Sequence, residues 1–187
     1  MKNKTLMLYA SIIMLCFCFA QCKKTNTPDP AEQLPPETQT GAFTFGCKVD
    51  GVIYTARGKG GLLADQRVNY SYYSSDSTFD ITATGTKAKN FNIHLVFKCF
   101  NTNTYCSFAS APFEATFYEE SNGTIPGNSN TYSTNLANTG RVMIKYFNGT
   151  FYPGNFGTIA SGVFEFNAVN GNGKIIRITE GRFDIGR

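Results

Sequence analysis

The chain has 187 residues, with 17 basic against 13 acidic side chains and a formal net charge of +4. Lys2 and Lys4 lie at the extreme N-terminus, and the remainder is too near neutral to offer the concentrated basic face that nucleic acid requires. Trp is absent beside 17 Phe and 10 Tyr, so the expected core is built on Phe, and 18 Gly predict frequent turns.

In chain order, residues 1–21 have the three parts of an export signal. Lys2 and Lys4 lead, an apolar run over 6–20 is broken only by Ser11, and small Ala20 ends it. The run, about fifteen residues, falls short of the roughly twenty that cross a hydrocarbon core as a helix. A retained span is therefore the weaker reading.

Phe19-Ala20-Gln21-Cys22 resembles the lipobox of bacterial lipoproteins. In that family the cysteine receives a diacylglyceryl group, the signal is cut before it, and the new amine is often acylated. The match departs from the usual pattern at Phe19, where Leu is the norm, and at Gln21, where a small residue is. Looser boxes followed by two lysines, here Lys23 and Lys24, are similar to those of Bacteroidota lipoproteins. The resemblance implies lipid on Cys22 and attachment to the outer membrane through that anchor. A soluble secreted protein is the competing reading. Surface-export signals of the group usually place acids after the cysteine, so Lys23 and Lys24 favour the periplasmic face over the cell surface.

Residues 23–40 change composition sharply. Four of the seven prolines fall here (Pro28, Pro30, Pro35, Pro36), among Thr, Asn, Gln and Glu. Such a segment buries too little to fold, and its prolines favour extended chain, roughly 55 Å at about 3.1 Å per residue. Residues 22–40 are therefore expected to be a lipidated Pro-rich tether, and 41–187 a single β-domain of ordinary size.

Within that domain, Phe43, Phe45 and Cys47 share one face, and Asp50-Gly51 makes a tight turn before Val52-Ile53-Tyr54. Strands follow over 66–73 and 78–84 around a turn at 74–77. Phe91, Ile93, Leu95 and Phe97 alternate with Asn92, His94, Val96 and Lys98, which leaves His94 facing outward as a solvated strand histidine. Residues 113–118 are strand-like, and 119–138 form a long polar loop with at most a short strand near Tyr132. Residues 141–147 and Phe151-Tyr152 flank Asn148-Gly149. Strands over 161–169 and 174–179 flank the turn at 170–173, and 181–185 extend the last one past a bulge. Evenly spaced short strands predict an all-β fold, an antiparallel sandwich or barrel-like sheet.

Cys16 and Cys18 leave with the signal, so Cys47, Cys99 and Cys106 remain besides Cys22. Cys99 and Cys106 flank the polar stretch 101–104, which reads as a hairpin turn and sets them opposite each other at disulfide distance. A bond to Cys47, or none, are the alternatives. Three cysteines and the single His94 lack zinc-site spacing, and no cofactor is expected.

The start, Leu34-Pro35-Pro36-Glu37-Thr38-Gln39-Thr40-Gly41 with Thr44-Phe45-Gly46-Cys47-Lys48-Val49-Asp50-Gly51, resembles a family of Bacteroidota lipoproteins whose domain has no known function. The ending, from Gly162-Val163-Phe164-Glu165-Phe166 to Ile178-Thr179-Glu180-Gly181-Arg182-Phe183-Asp184-Ile185, is similar to that family's closing strands. The resemblance implies a lipoprotein with a β-rich domain and carries over no catalytic residue. Arg182 and Asp184 project to one side of their strand, as an ion-paired edge or as a ligand-binding pair.

The expected function is a non-catalytic binding or structural module of the cell envelope, with a glycan or an envelope protein as ligand. Exposed tyrosines such as Tyr70, Tyr72, Tyr73 and Tyr132 support it. The competing reading is an envelope enzyme such as a glycan hydrolase, with paired carboxylates drawn from Asp65, Asp76, Asp80, Glu114, Glu119 or Glu120. No spacing brings two of these together, and no Gly-x-Ser-x-Gly, His-Glu-x-x-His or phosphate-loop motif occurs. Asp76-Ser77-Thr78 also resembles the O-glycosylation signal of Bacteroidota exported proteins.

Overall fold

The computed structural model describes residues 33–57, 67–86, 90–108, 112–120, 130–149 and 159–186. The export signal, Cys22 and Phe151-Tyr152 lie outside the described residues. Eleven strands occur among them: β1 Thr44–Val49, β2 Val52–Arg57, β3 Val68–Tyr73, β4 Thr78–Thr86, β5 Asn90–Lys98, β6 Tyr105–Phe108, β7 Ala115–Glu119, β8 Thr131–Ser133, β9 Gly140–Asn148, β10 Ile159–Val169 and β11 Ile175–Gly186.

Alternation produces them. In β5, Phe91, Ile93, Leu95 and Phe97 are buried while Asn92, His94, Val96 and Lys98 are half-exposed, the period of a pleated strand with one dry face. In β10 the even positions Ala160, Gly162, Phe164, Phe166 and Ala168 are all buried. The β1–β2 turn places Asp50 and Gly51 at φ 48° and 83°, the left-handed pair that a two-residue type I′ hairpin needs.

All pairing is antiparallel, in the order β2-β1-β11-β10-β8-β7-β5-β4-β3. The free edge of β10 is shared: β9 takes Ile159 to Phe166, β8 takes Val169, and β6 adds on to β9. At the ends of the path β2 comes back against β4, so the sheet is nearly closed into a barrel. Its interior is aromatic. Phe79 stacks on Phe97 at 5.2 Å, Phe97 meets Phe108 edge-on at 5.7 Å, and Phe45 lies 5.1 Å from Phe164. Such pairs add about 0.5–1.5 kcal/mol each beyond the area they bury.

Three sequence expectations change. β11 is no edge strand: it lies between β1 and β10, ordered as an interior strand with a register shift beside Glu180. Nor do Arg182 and Asp184 turn to each other. Arg182 donates to the carbonyls of Pro35 and Glu180, and Asp184 is 1 % exposed beneath the preceding segment. Tyr70 and Tyr72 pack against the core and Tyr132 is buried, because they fall on inward positions of β3 and β8; only Tyr73 of the four is exposed.

The third change concerns the tether. Composition reads 22–40 as free chain, yet from Leu34 onward the segment lies along the outer face of β1 and β11. Pro35 is fully buried over Gly46, where an added Cβ would come within 2.5 Å of the proline Cδ. Glu37 pairs with Lys145 of β9. Asp184 accepts hydrogen bonds from Thr38 Oγ1 at 2.5 Å, Thr40 N at 3.0 Å and Gly41 N at 2.8 Å. A polar Pro-rich segment thus folds by borrowing a seat that distant residues supply.

Candidate functional site

One end of the barrel, where the β1–β2 and β10–β11 turns meet the ends of β7 and β8, holds a cleft of about 240 Å³. Tyr54, Phe117 and Tyr132 form its walls, and Asp50, Glu119, Glu120, Asn130 and Lys174 its polar rim. Tyr54 is an inward residue of β2 whose ring meets Phe91 and Phe117 edge-on at 5.1 and 5.5 Å. Those contacts aim its hydroxyl at the last residue of β7, and it donates to Glu119 Oε1 at 2.7 Å. Burial pushes the Tyr54 phenol well above its ordinary range, and the Glu119 carboxylate adds to that shift.

The other acids of the rim are also held. Asn90 donates its amide to Glu120 Oε2 at 2.6 Å. Asp50 accepts from the backbone N–H of Arg177 at 2.9 Å, which ties the β1–β2 turn to β11. Lys174, in the β10–β11 turn, sits 5.9 Å from the Tyr132 ring centroid. The site therefore offers apolar ring surface below carboxylate acceptors and one ammonium.

A slightly larger depression, about 270 Å³, lies on the outer face among Thr139, Arg141, Glu165, Asn167 and Arg177. Arg141 and Glu165 pair across it at 2.6 Å and satisfy each other, so it presents fewer free groups to a ligand.

Of the acids read as candidates from sequence, the cleft gathers only Glu119 and Glu120. Asp76 stays in the β3–β4 turn and accepts the Thr78 hydroxyl at 2.7 Å. Asp80 pairs with His94 at 2.9 Å on the outside of β4 and β5, so His94 has a partner that the alternation alone does not reveal. Glu114 precedes β7, and Asp65 lies outside the described residues. Thr78 is buried, leaving Ser77 as the more accessible of the two hydroxyls beside Asp76. Asp50, Tyr54 and Lys174 belong to the cleft and have no functional signal in the sequence beyond turn and strand chemistry.

Cys99 and Cys106 form a disulfide with Cα atoms 5.7 Å apart, joining the end of β5 to β6 around the turn at 101–104. Cys47 is a free thiol inside the barrel, and burial pushes its ionisation well up. Among the described residues, no cluster of His, Cys, Asp and Glu is arranged to hold a metal ion. No protein-family model matches the chain, and neither curated proteins nor solved structures yield a match.

Proposed function

We propose that the protein is an exported, lipid-anchored binding module of the cell envelope, and that the barrel-end cleft holds its ligand. Cys22 is the anchor, in the outer membrane and on its periplasmic face. The observation that carries the binding reading is the pairing of aromatic walls, Tyr54, Phe117 and Tyr132, with a rim of acceptors, Asp50, Glu119 and Glu120. The half-buried Tyr54 ring, over a floor of buried Phe117 and Tyr132, suits the C–H side of a sugar and carboxylates suit its hydroxyls, so a glycan is the proposed ligand class.

Binding is favoured over hydrolysis by how those acids are used. A pair of carboxyls that cleaves a glycosidic bond divides acid and base roles through contrasting environments. Here Tyr54, Asn90 and the Arg177 backbone hold all three as hydrogen-bond acceptors.

A glycan array followed by titration calorimetry tests the proposal. The wild-type chain is expected to retain a defined subset of glycans. Lys174→Ala and Glu120→Gln, both on the rim, should weaken that binding about tenfold, or ~1.4 kcal/mol, without unfolding the barrel. A blank array, or variants that bind as tightly as wild type, would remove the cleft as the ligand seat.

A further inference from the structure

We infer that residues 34–41 are a releasable clasp: seated, they shorten the leash between anchor and barrel, and released, they lengthen it without opening the sheet. The leash depends on the proposed lipid at Cys22. The clasp itself depends only on the contacts described here.

Three features make the segment separable from the barrel. First, it belongs to no strand. The β1–β11 ladder begins at Thr44 opposite Asp184, and β1 is held on its other side by β2 from Thr44 to Val49. Lifting residues 34–41 therefore breaks no ladder hydrogen bond. Second, its hold is concentrated at three points. Pro35 sits over Gly46 with its carbonyl accepting from Arg182, Glu37 pairs with Lys145 of β9, and Asp184 gathers the donors of Thr38, Thr40 and Gly41; Pro35 is the one side chain of the segment that is fully buried. Third, a hinge separates clasp from strand. Gly41 has φ 70° and Phe43 φ 52°, left-handed geometry on both sides of Ala42 that reverses the chain into β1. Phe43 adopts it at a steric cost that glycine would not bear.

On the sequence reading of residues 23–33 as an extended tether, the leash with the clasp seated would span roughly 34 Å at about 3.1 Å per residue. Release adds residues 34–43, roughly 30 Å more on the same scale. The barrel then moves between a near and a far position over the lipid surface.

Amide hydrogen exchange on the full-length chain in detergent reads the clasp directly. Thr40 and Gly41, whose amides bond Asp184, should exchange by local opening at least about tenfold faster than the paired amides of β1 and β11. Asp184→Asn, which replaces one acceptor oxygen by a donor, should speed Thr40 and Gly41 a further ~10-fold or more and leave the ladder amides the slower set. Gly46→Ala, which fills the seat of Pro35 and leaves the carboxylate intact, should do the same from the other end. Exchange of Thr40 and Gly41 at the rate of the ladder in the wild type would overturn the proposal. So would variants in which Thr40 and Gly41 exchange no faster than the ladder, since the segment would then open only with the whole domain.

Discussion

Thr38 donates its hydroxyl to Asp184 at 2.5 Å across 146 residues of sequence, closing the start of the folded chain onto its last strand. Burial alone would raise the Asp184 pKa. The hydrogen bonds from Thr38 and from the amides of Thr40, Gly41 and Ala42 outweigh it and hold the carboxyl below the usual range.

A depressed carboxylate pKa has a defined pH signature. The Asp184 contribution to stability is complete above the ordinary unfolded value of about 3.9, and disappears as pH falls from there through the lower folded value. Acid unfolding followed by circular dichroism should therefore show a loss of stability in that window. Asp184→Asn should be less stable at pH 7 by about 1.5–3 kcal/mol and should lose less on acidification. Equal acid sensitivity in wild type and variant would show that other carboxyls carry the effect.

The disulfide makes a second prediction. Cys99 and Cys106 are 7 residues apart, and closing so short a loop stabilises the native state by about 2.5 kcal/mol in the chain-entropy model. Replacing both by Ser should lower the urea midpoint accordingly while the barrel still folds, since β6 retains its ladder with β9. Cys47, buried and free, should resist alkylation in the folded chain and react once urea unfolds it, as mapped by mass spectrometry. Ready native labelling at Cys47 would contradict its place inside the barrel.

At the cleft, Tyr54→Phe removes the hydrogen bond to Glu119 and leaves the ring contacts, so the expected loss of stability is about 1 kcal/mol. Because the folded phenol ionises later than the unfolded one, its stabilisation is full below about pH 10 and is lost as pH rises above it. Alkaline unfolding should begin near that value in the wild type and be blunted in Tyr54→Phe. Spectrophotometric titration of the tyrosines should show one fewer late-ionising phenol in the variant.

Much of the barrel is legible in the sequence because its signal is local. The alternation from Phe91 to Lys98 and the turn at Asp50-Gly51 need no knowledge of neighbours, and both produce the element they predict. Strand order is not local, which is why β11 reads as an edge although β1 and β10 flank it. Tyr70 and Tyr72 mislead for another reason: an amphipathic ring suits either face, and only packing decides, against Phe79 and Phe147 for Tyr72 and against the core for Tyr70. The clasp is hidden by composition. Nothing near Pro35 in sequence buries it, and its seat is the missing side chain of Gly46 beside Arg182. The cleft is least legible of all, since Asp50, Tyr54, Glu119, Tyr132 and Lys174 meet only once the barrel curves.

The proposed place of this protein at the envelope hangs on Cys22. The most direct measurement is mass spectrometry of the N-terminal peptide, together with membrane fractionation, for the wild type and Cys22→Ser expressed in a bacterial host that processes lipoproteins. The account predicts a wild-type chain that begins at an acylated Cys22 and sediments with the outer membrane, and a Cys22→Ser chain that carries no lipid and leaves that fraction. A Cys22→Ser chain that stays in the outer-membrane fraction, or a wild-type N-terminus without lipid, would contradict it.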